Sequence, residues 1–257
     1  MRGMDGSNPV VSELARQLAA AQRVVAFTGA GMSTESGIPD FRSPGGIWSR
    51  MQPIQFQDFV RSAEAQRESW RRVFDGERDL SGKQPNIGHE VLARWVKAGR
   101  ISHIITQNVD NLHQASGVAD EHIIELHGNA GYVSCLECHQ RYEIEDLRPE
   151  YELTGEVRDC DSCGGLLKVA TVSFGQPMPD AEMARAERAA QDCDLFLSMG
   201  SSLQVYPAAG LPQAARAGGA RLVIINREAT PLDSLADLVI HAEIGATLAA
   251  AQQLLDA

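Results

Sequence analysis

Three groups of residues in this sequence have the types and spacing to do chemistry. Four cysteines fall into two pairs, Cys135-x2-Cys138 and Cys160-x2-Cys163, with 21 residues between the pairs. Two such turns present four thiolates at zinc-ribbon spacing, and four sulfur ligands leave no open position, so the metal they suit is structural. A redox pair or an iron–sulfur cluster is the alternative use of the pattern. The second group is a glycine turn, Gly29-Ala30-Gly31, followed by the hydroxyls Ser33, Thr34 and Ser36. Glycines at a strand end let main-chain amides approach a phosphate, because no Cβ intervenes. The dinucleotide fingerprint asks for a third glycine where this chain has Thr34. Directly beyond lies Ile38-Pro39-Asp40-Phe41-Arg42, which sets an acid, an aromatic and a cation beside the turn. The third group is Gln107-Asn108-Val109-Asp110-Asn111 together with His127-Gly128. Amides and an acid at the carboxyl end of a strand suit site chemistry, or else an Asx turn capping the short helix that begins near Asn111.

Holding these groups in place requires strands that end where they stand. Residues 24–27 are apolar and β-branched, the pattern of a buried parallel strand, and they run into the glycine turn. Residues 100–106, RISHIIT, predict the next strand and deliver Gln107, Asn108 and Asp110 at its carboxyl end, where α/β proteins bind ligands. A strand over 123–126 delivers His127. Apolar positions at Val11, Leu14, Ala15, Leu18 and Ala19 predict a helix over 12–22 capped by Ser12. Residues 86–97 predict another helix, on which His89 reads as structural. Residues 43–83 form an excursion with a glycine-rich entry able to close over a ligand, then one or two helices over 56–74. From 129 to 168 the α/β rhythm stops, and this cysteine-bearing stretch is too poor in core residues to fold without an ion. The rhythm resumes with a strand over 169–174, a helix over 180–191 and a strand over 194–199 ending in Gly200-Ser201-Ser202. A helix over 207–217, a strand over 221–225 ending in Asn226, a strand over 238–241 and a helix over 246–255 follow. The expected fold class is α/β: a Rossmann-type doubly wound parallel sheet from 10–42, 84–128 and 169–257. Insertions 43–83 and 129–168 form a smaller zinc-binding and helical module, and 1–9 is a disordered lead.

Composition narrows the function classes. The 257 residues carry 34 acids against 23 bases, a net charge of −11, and no basic run longer than two residues. Phosphate neutralisation requires clustered Lys and Arg, so direct nucleic-acid binding is not expected. No apolar run approaches the ~20 residues of a membrane helix. The N-terminus lacks a signal-peptide apolar region, so the protein is expected to be cytoplasmic, with paired cysteines binding metal in preference to forming disulfides. Cys193, at the start of an apolar run, reads as a small core residue.

The block GAGMSTESGIPDFRS resembles the signature of the sirtuins, the NAD-dependent protein deacylases. Gln107-Asn108-Val109-Asp110 with Asn111, His127-Gly128, and Gly200-Ser201-Ser202-Leu203 with Asn226 match that family in the same order. The cysteine tetrad sits where the family carries its zinc module, and the match covers the chain from about residue 10. The resemblance implies NAD as co-substrate in a cleft between a Rossmann-type domain and a small zinc domain. Gly29, Ala30, Gly31 and Ser33 would hold it, with Asp40, Phe41 and Arg42 on the same loop. Gly200, Ser201 and Ser202 would serve phosphate and ribose, and Asn226 the adenosine ribose. Gln107, Asn108 and Asp110, with Ile38, would frame the nicotinamide. His127 is implied as the general base, with Asn108 and Asp110 beside it in the catalytic set. The acyl-lysine oxygen would attack the ribose carbon as nicotinamide leaves, giving free lysine and O-acyl-ADP-ribose. Acyl-lysine proteins or peptides would add as a strand between Val172, Phe174, Gly175 on one side and Leu203, Val205 on the other. Cys135, Cys138, Cys160 and Cys163 would hold one Zn²⁺. The chain departs from the pattern at Gln176, where many relatives place Glu, and at Val169, where Pro is common, which leaves peptide preference open. Relatives that remove succinyl groups carry a Tyr and an Arg three residues apart; Trp70-Arg71-Arg72-Val73-Phe74 offers no such Tyr, against succinyl specificity. Mono-ADP-ribosylation would fit the same pocket. A nicotinamide-dependent oxidoreductase would leave the tetrad unexplained, and a non-catalytic NAD sensor has no use for His127.

Overall fold

The structure, a computed structural model, describes residues 8–43, 45–76, 80 and 82–257. Residues 1–7, most of the expected disordered lead, lie outside the described residues. The first helix, α1 (Pro9–Ala20), starts earlier than Ser12. Asn8 caps it, its side chain accepting from the Val10 amide at 3.1 Å, and Pro9 opens the first turn. Proline suits that position because its missing N–H would have no partner there, and its φ is already helical.

Six parallel strands form the main sheet in the order β3-β2-β1-β7-β8-β9. They are β1 (Val24–Thr28), β2 (Ile101–Thr106), β3 (Ile123–Glu125), β7 (Leu195–Met199), β8 (Arg221–Ile225) and β9 (Leu238–Ile240). Every residue of β1 and β7 is buried, because side chains alternate between two covered faces. Val24 and Ala26 face α1, α4 (Ile87–Lys97) and α9 (Ile244–Leu255). Val25 and Phe27 face α7 (Asp180–Asp192) and α8 (Leu211–Ala217), in the cluster that also buries Cys193. The strand order reverses between β1 and β7, which opens a crevice at their carboxyl ends.

Two turns interlock across that reversal. The Gly29 amide donates to the Met199 carbonyl at 3.0 Å and the Gly31 amide to the Gly200 carbonyl at 2.8 Å. A Cβ on Gly31 would lie 2.7 Å from Gly200 Cα, and Gly200 (φ +63°) would put its own 2.4 Å from the Met32 nitrogen. The bare Cα atoms of Gly31 and Gly200 therefore serve first to dock the two turns on each other. The expected approach of the Gly29 and Gly31 amides to phosphate is pre-empted by these bonds. The helical turn that follows, residues Ala30–Ser36, begins directly beyond these bonds, its Met32 amide on the Gly29 carbonyl at 2.9 Å.

The remaining elements form a second unit. β5 (Arg141–Glu143), β4 (Gly128–Cys135) and β6 (Leu167–Thr171) make an antiparallel sheet in that order, with α6 (Ile144–Thr154) alongside. The strand expected to return the chain to the main sheet near Val169 is β6, and it pairs with β4 instead. A three-stranded sheet satisfies the ladder groups that β4 would otherwise leave open at its edge. The excursion supplies two helices, α2 (Phe56–Arg61) and α3 (Ala63–Phe74). Trp70 from α3 joins Val133, Cys135, Leu147, Cys160 and Leu167 in one small core, and Phe74 stacks on Tyr151 at 4.5 Å. The two insertions thus pack as one module.

Candidate active site

Strand ends from both halves of the sheet meet in a buried polar network. Asn108, at the end of β2, donates from Nδ2 to the Gly29 carbonyl and to Ser33 Oγ, each at 3.1 Å. Ser33 in turn donates to Asp110 Oδ2 at 2.6 Å. Gln107 donates to Ser201 Oγ at 2.9 Å, joining the β2 end to the β7 turn. Ser33, Asn108 and Ser201 are all buried. Buried polar groups hold their geometry when each has a partner, so this network is pre-organised. Asp110 also accepts the Leu112 amide with Oδ1 at 3.0 Å, so its two oxygens are fixed from opposite sides.

His127 follows β3 and sits half-buried above the network. Its Nδ1 lies 3.1 Å from the Gln107 carbonyl, which only a protonated Nδ1 can bond. The basic lone pair is therefore on Nε2. Burial pushes the His127 pKa down, and the Gln107 carbonyl partly restores it. The histidine carbonyl accepts the Val172 amide at 2.8 Å, so His127 and the predicted peptide edge are hydrogen-bonded neighbours.

Beneath the site a second pair of imidazoles is enclosed in the core. His113 bonds Thr28 Oγ1 at 2.9 Å, Thr28 donates to Thr106 Oγ1, and Thr106 receives the Asn108 amide. His89 closes a capping box with Asn86 and lies 4.9 Å from His113, ring to ring. Burial lowers His89 to about 4 and His113 to about 3. Both folded values lie below the ordinary ~6.5, so the unfolded chain binds protons first as pH falls. Stability is fully present above about pH 6.5 and drops as pH falls toward 4, by at most about 2.7 kcal/mol per pH unit for two protons. Urea unfolding at pH 7 and pH 5 checks this; equal midpoints would contradict it.

The loop after Ser36 carries the other predicted cofactor residues. Ile38 is half-buried, its amide on the Ser33 carbonyl at 3.2 Å. Asp40 Oδ1 accepts the Arg42 and Ser43 amides at 2.9 and 2.8 Å; burial works to raise its pKa, but these donors hold it below the usual range. Arg42 places its guanidinium 4.2 Å over the Trp48 ring. Trp48 lies between Phe41 (5.6 Å) and Phe174 (5.5 Å), an aromatic bridge from the cofactor loop to the peptide segment. A cavity of about 430 Å³ opens beside Phe41, Arg42 and Trp48. Phe174 accepts the Phe56 amide through its carbonyl at 2.9 Å, and Gly175 turns with φ +80°. Ser202 and Val205 are half-buried on the β7 turn. Leu203 is 2% exposed and belongs to the core cluster that also holds Phe196, so any main-chain role of the β7 turn leaves its side chain inside. Asn226 closes β8, its side chain donating to the Glu228 carbonyl at 2.7 Å. Trp48 and Arg227 are the groups sequence reasoning passed over. Arg227 reaches Thr34 Oγ1 at 2.6 Å across 193 residues, which no local pattern signals.

In the small module, the Sγ atoms of Cys135, Cys138, Cys160 and Cys163 all lie within 4.8 Å of one another. The Cys135–Cys163 and Cys138–Cys160 separations are 3.5 and 3.6 Å. A disulfide needs about 2.05 Å. Four sulfurs about 2.3 Å from one tetrahedral ion stand about 3.8 Å apart, so the donor set fits a metal ion.

A Sir2 family model matches residues 29–207, a span that holds the glycine turns, the Gln107–Asp110 cluster, His127 and all four cysteines. The chain belongs to the Sir2 family. This sirtuin is 53% identical over 238 residues to NAD-dependent protein deacetylase 1 of Bradyrhizobium diazoefficiens, covering 93% of each chain. It is 53% identical, again over 238 residues, to the NAD-dependent protein deacetylase of Rhodopseudomonas palustris, covering 93% of this chain and 94% of that one. Among solved structures, it superposes with a TM-score of 0.85 and 32% identity on a Sir2 variant holding a deacetylated p53 peptide and 3'-O-acetyl ADP-ribose. That match covers 95% of this chain and 98% of the other. A Sir2–p53 peptide–NAD⁺ structure gives 0.83 and 33%, over 95% and 96%. No helix among the described residues is long and apolar enough to cross a membrane.

Proposed function

We propose that this sirtuin is an NAD-dependent protein-lysine deacetylase whose general base is His127. The observation that carries the reading is the His127 Nδ1 bond to the Gln107 carbonyl, which leaves Nε2 as the basic nitrogen beside the Ser33–Asn108–Asp110 network. NAD, when bound, supplies an activated glycosidic bond and the ribose that receives the acyl group, so the products are nicotinamide, free lysine and O-acyl-ADP-ribose. The amino end of the Ala30–Ser36 turn, Ser201 and Ser202 hold its phosphates and ribose, and Asn226 the adenosine end. Gln107, Asn108 and Asp110 orient the nicotinamide carboxamide, which both donates and accepts. Phe41, Trp48 and Phe174 keep water from the cleft once it is filled. His127 takes a proton from a ribose hydroxyl, which its neutral form can do at pH 7.

The peptide strand adds between the Val172–Gly175 segment and the Ser202–Val205 segment, recognised through main-chain bonds. The tetrad holds one Zn²⁺, which anchors β4, β5 and β6 without touching the substrate. Five cysteines, none in a disulfide, suit a reducing compartment such as the cytoplasm. The test supplies NAD⁺ and an acetyl-lysine peptide and follows products by mass spectrometry. Peptide-dependent nicotinamide and O-acetyl-ADP-ribose are expected. NADH formation, or ADP-ribose attached to the peptide, would reassign the pocket.

A further inference from the structure

A closed circuit of hydrogen bonds runs beneath the site. Asn111, at φ +62°, turns the chain into the short helix Leu112–Ala115, which carries His113 into the core. Its imidazole is 1% exposed, and Nε2 meets Thr28 Oγ1 at 2.9 Å. Thr28 donates its hydroxyl proton to Thr106 Oγ1 at 2.9 Å, so toward His113 it can only accept. Nε2 of His113 therefore carries the proton. Thr106 Oγ1 also accepts the Asn108 amide at 3.0 Å, the Asn108 side chain bonds Ser33, and Ser33 bonds Asp110. Asp110 accepts the Leu112 amide at 3.0 Å, one residue before His113, and the circuit closes.

Packing alone accounts for neither the imidazole nor the hydroxyls. Nδ1 of His113 is buried with no hydrogen-bond partner among the described residues, a cost that leucine would not carry. Thr28 and Thr106 are buried register partners at the ends of β1 and β2, where valine would fill the same space without burying a hydroxyl. We propose that His113, acting through Thr28 and Thr106, is a positioning residue that holds Asn108 and Asp110 in place for the nicotinamide carboxamide. The inference rests on the reading above, in which Asn108 and Asp110 orient that group.

Variants along the circuit separate positioning from stability. His113→Leu keeps the bulk and removes the donor, His113→Gln returns an N–H near the place of Nε2, and Thr28→Val breaks the next link. With saturating NAD and acetyl-lysine peptide, His113→Leu and Thr28→Val each lower kcat about tenfold to hundredfold, the effect of a misplaced site group. The KM for peptide moves less than about twofold, and His113→Gln recovers kcat to within about threefold of the parent. The double variant His113→Leu with Thr28→Val is no slower than the slower single one, because both cut the same circuit. His113→Leu melts at or above the parent temperature, since its unpaired nitrogen is gone. Deuterium exchange of the Asn108 amide, followed by NMR, speeds up about tenfold in His113→Leu and stays at the parent rate in His113→Gln. Should His113→Leu not fold, Thr28→Val carries the same comparison, with Thr28→Ser as its repair. Turnover within about threefold of the parent in the donor-less variant overturns the proposal, as does a loss that the repaired variant keeps or that follows a lowered melting temperature. If the parent protein releases no nicotinamide, the deacetylase reading fails instead, and exchange at Asn108 still decides whether His113 fixes that residue.

Discussion

Replacing His127 by alanine lowers kcat by about two to four orders of magnitude, the span that loss of a positioned base produces. Affinity for ADP-ribose changes less than about threefold, because the Ala30–Ser36 turn, Ser201 and Ser202 stay in place. The Gln107 carbonyl fixes the tautomer, and the Val172 amide on the His127 carbonyl fixes the backbone. The pH profile adds a second check. Burial lowers the His127 pKa below the ordinary ~6.5, with the Gln107 bond working against it. The active form is neutral, so kcat rises with pH through the folded pKa and is flat above it. Its acid limb therefore has a midpoint below 6.5, and that limb disappears in His127→Ala. A variant retaining activity within tenfold of the parent, or a limb centred above 6.5, would remove His127 from the role.

Much of the site was readable from residue order because the parallel strands simply carry it. An apolar run ending in Gly29-Ala30-Gly31, another ending in Gln107-Asn108 and a third ending in Gly200-Ser201 state which side chains arrive at the carboxyl edge. The sheet then brings them together, since β1 lies between β2 and β7. What stayed hidden depended on pairing at long range. β6 (LKVAT) reads as a strand in sequence, and only its antiparallel partner β4 assigns it to the small sheet. The glycines were expected to bare amides for phosphate, whereas two of those amides bond the neighbouring turn. Trp48 sits in a turn-rich segment whose sequence says nothing of Phe174, 126 positions away in the chain. The start of α1 was misjudged for a local reason, because Asn8-Pro9 is a stronger opening pair than Ser12.

Removing the metal from the tetrad should disable catalysis while leaving the six-stranded sheet folded. Among the described residues, the apolar core of the small module is Trp70, Val133, Leu147 and Leu167 with Cys135 and Cys160, and Phe59 is buried on α2. A core of that size gives only a few kcal/mol, whereas structural zinc contributes about 10–16 kcal/mol in small domains. Losing it loosens β4 and β6, and both run into the catalytic elements. β4 begins at Gly128, directly after His127, and β6 leads to Val172, which bonds the His127 carbonyl. The base and the peptide edge therefore lose their support together, although neither touches the ion. Cys160→Ala alone leaves three thiolates and room for water, enough to keep zinc at reduced affinity. The double change Cys160→Ala with Cys163→Ala removes one whole pair and is expected to abolish peptide-dependent nicotinamide release. Elemental analysis should find one zinc per parent chain and none in the double variant. Calorimetry should then show the parent transition split, with the smaller unit melting first, and hydrogen exchange should place the loss of protection in 128–171 and α3. Full activity in the zinc-free double variant, with one unsplit transition, would mean that the four cysteines do not hold the module together.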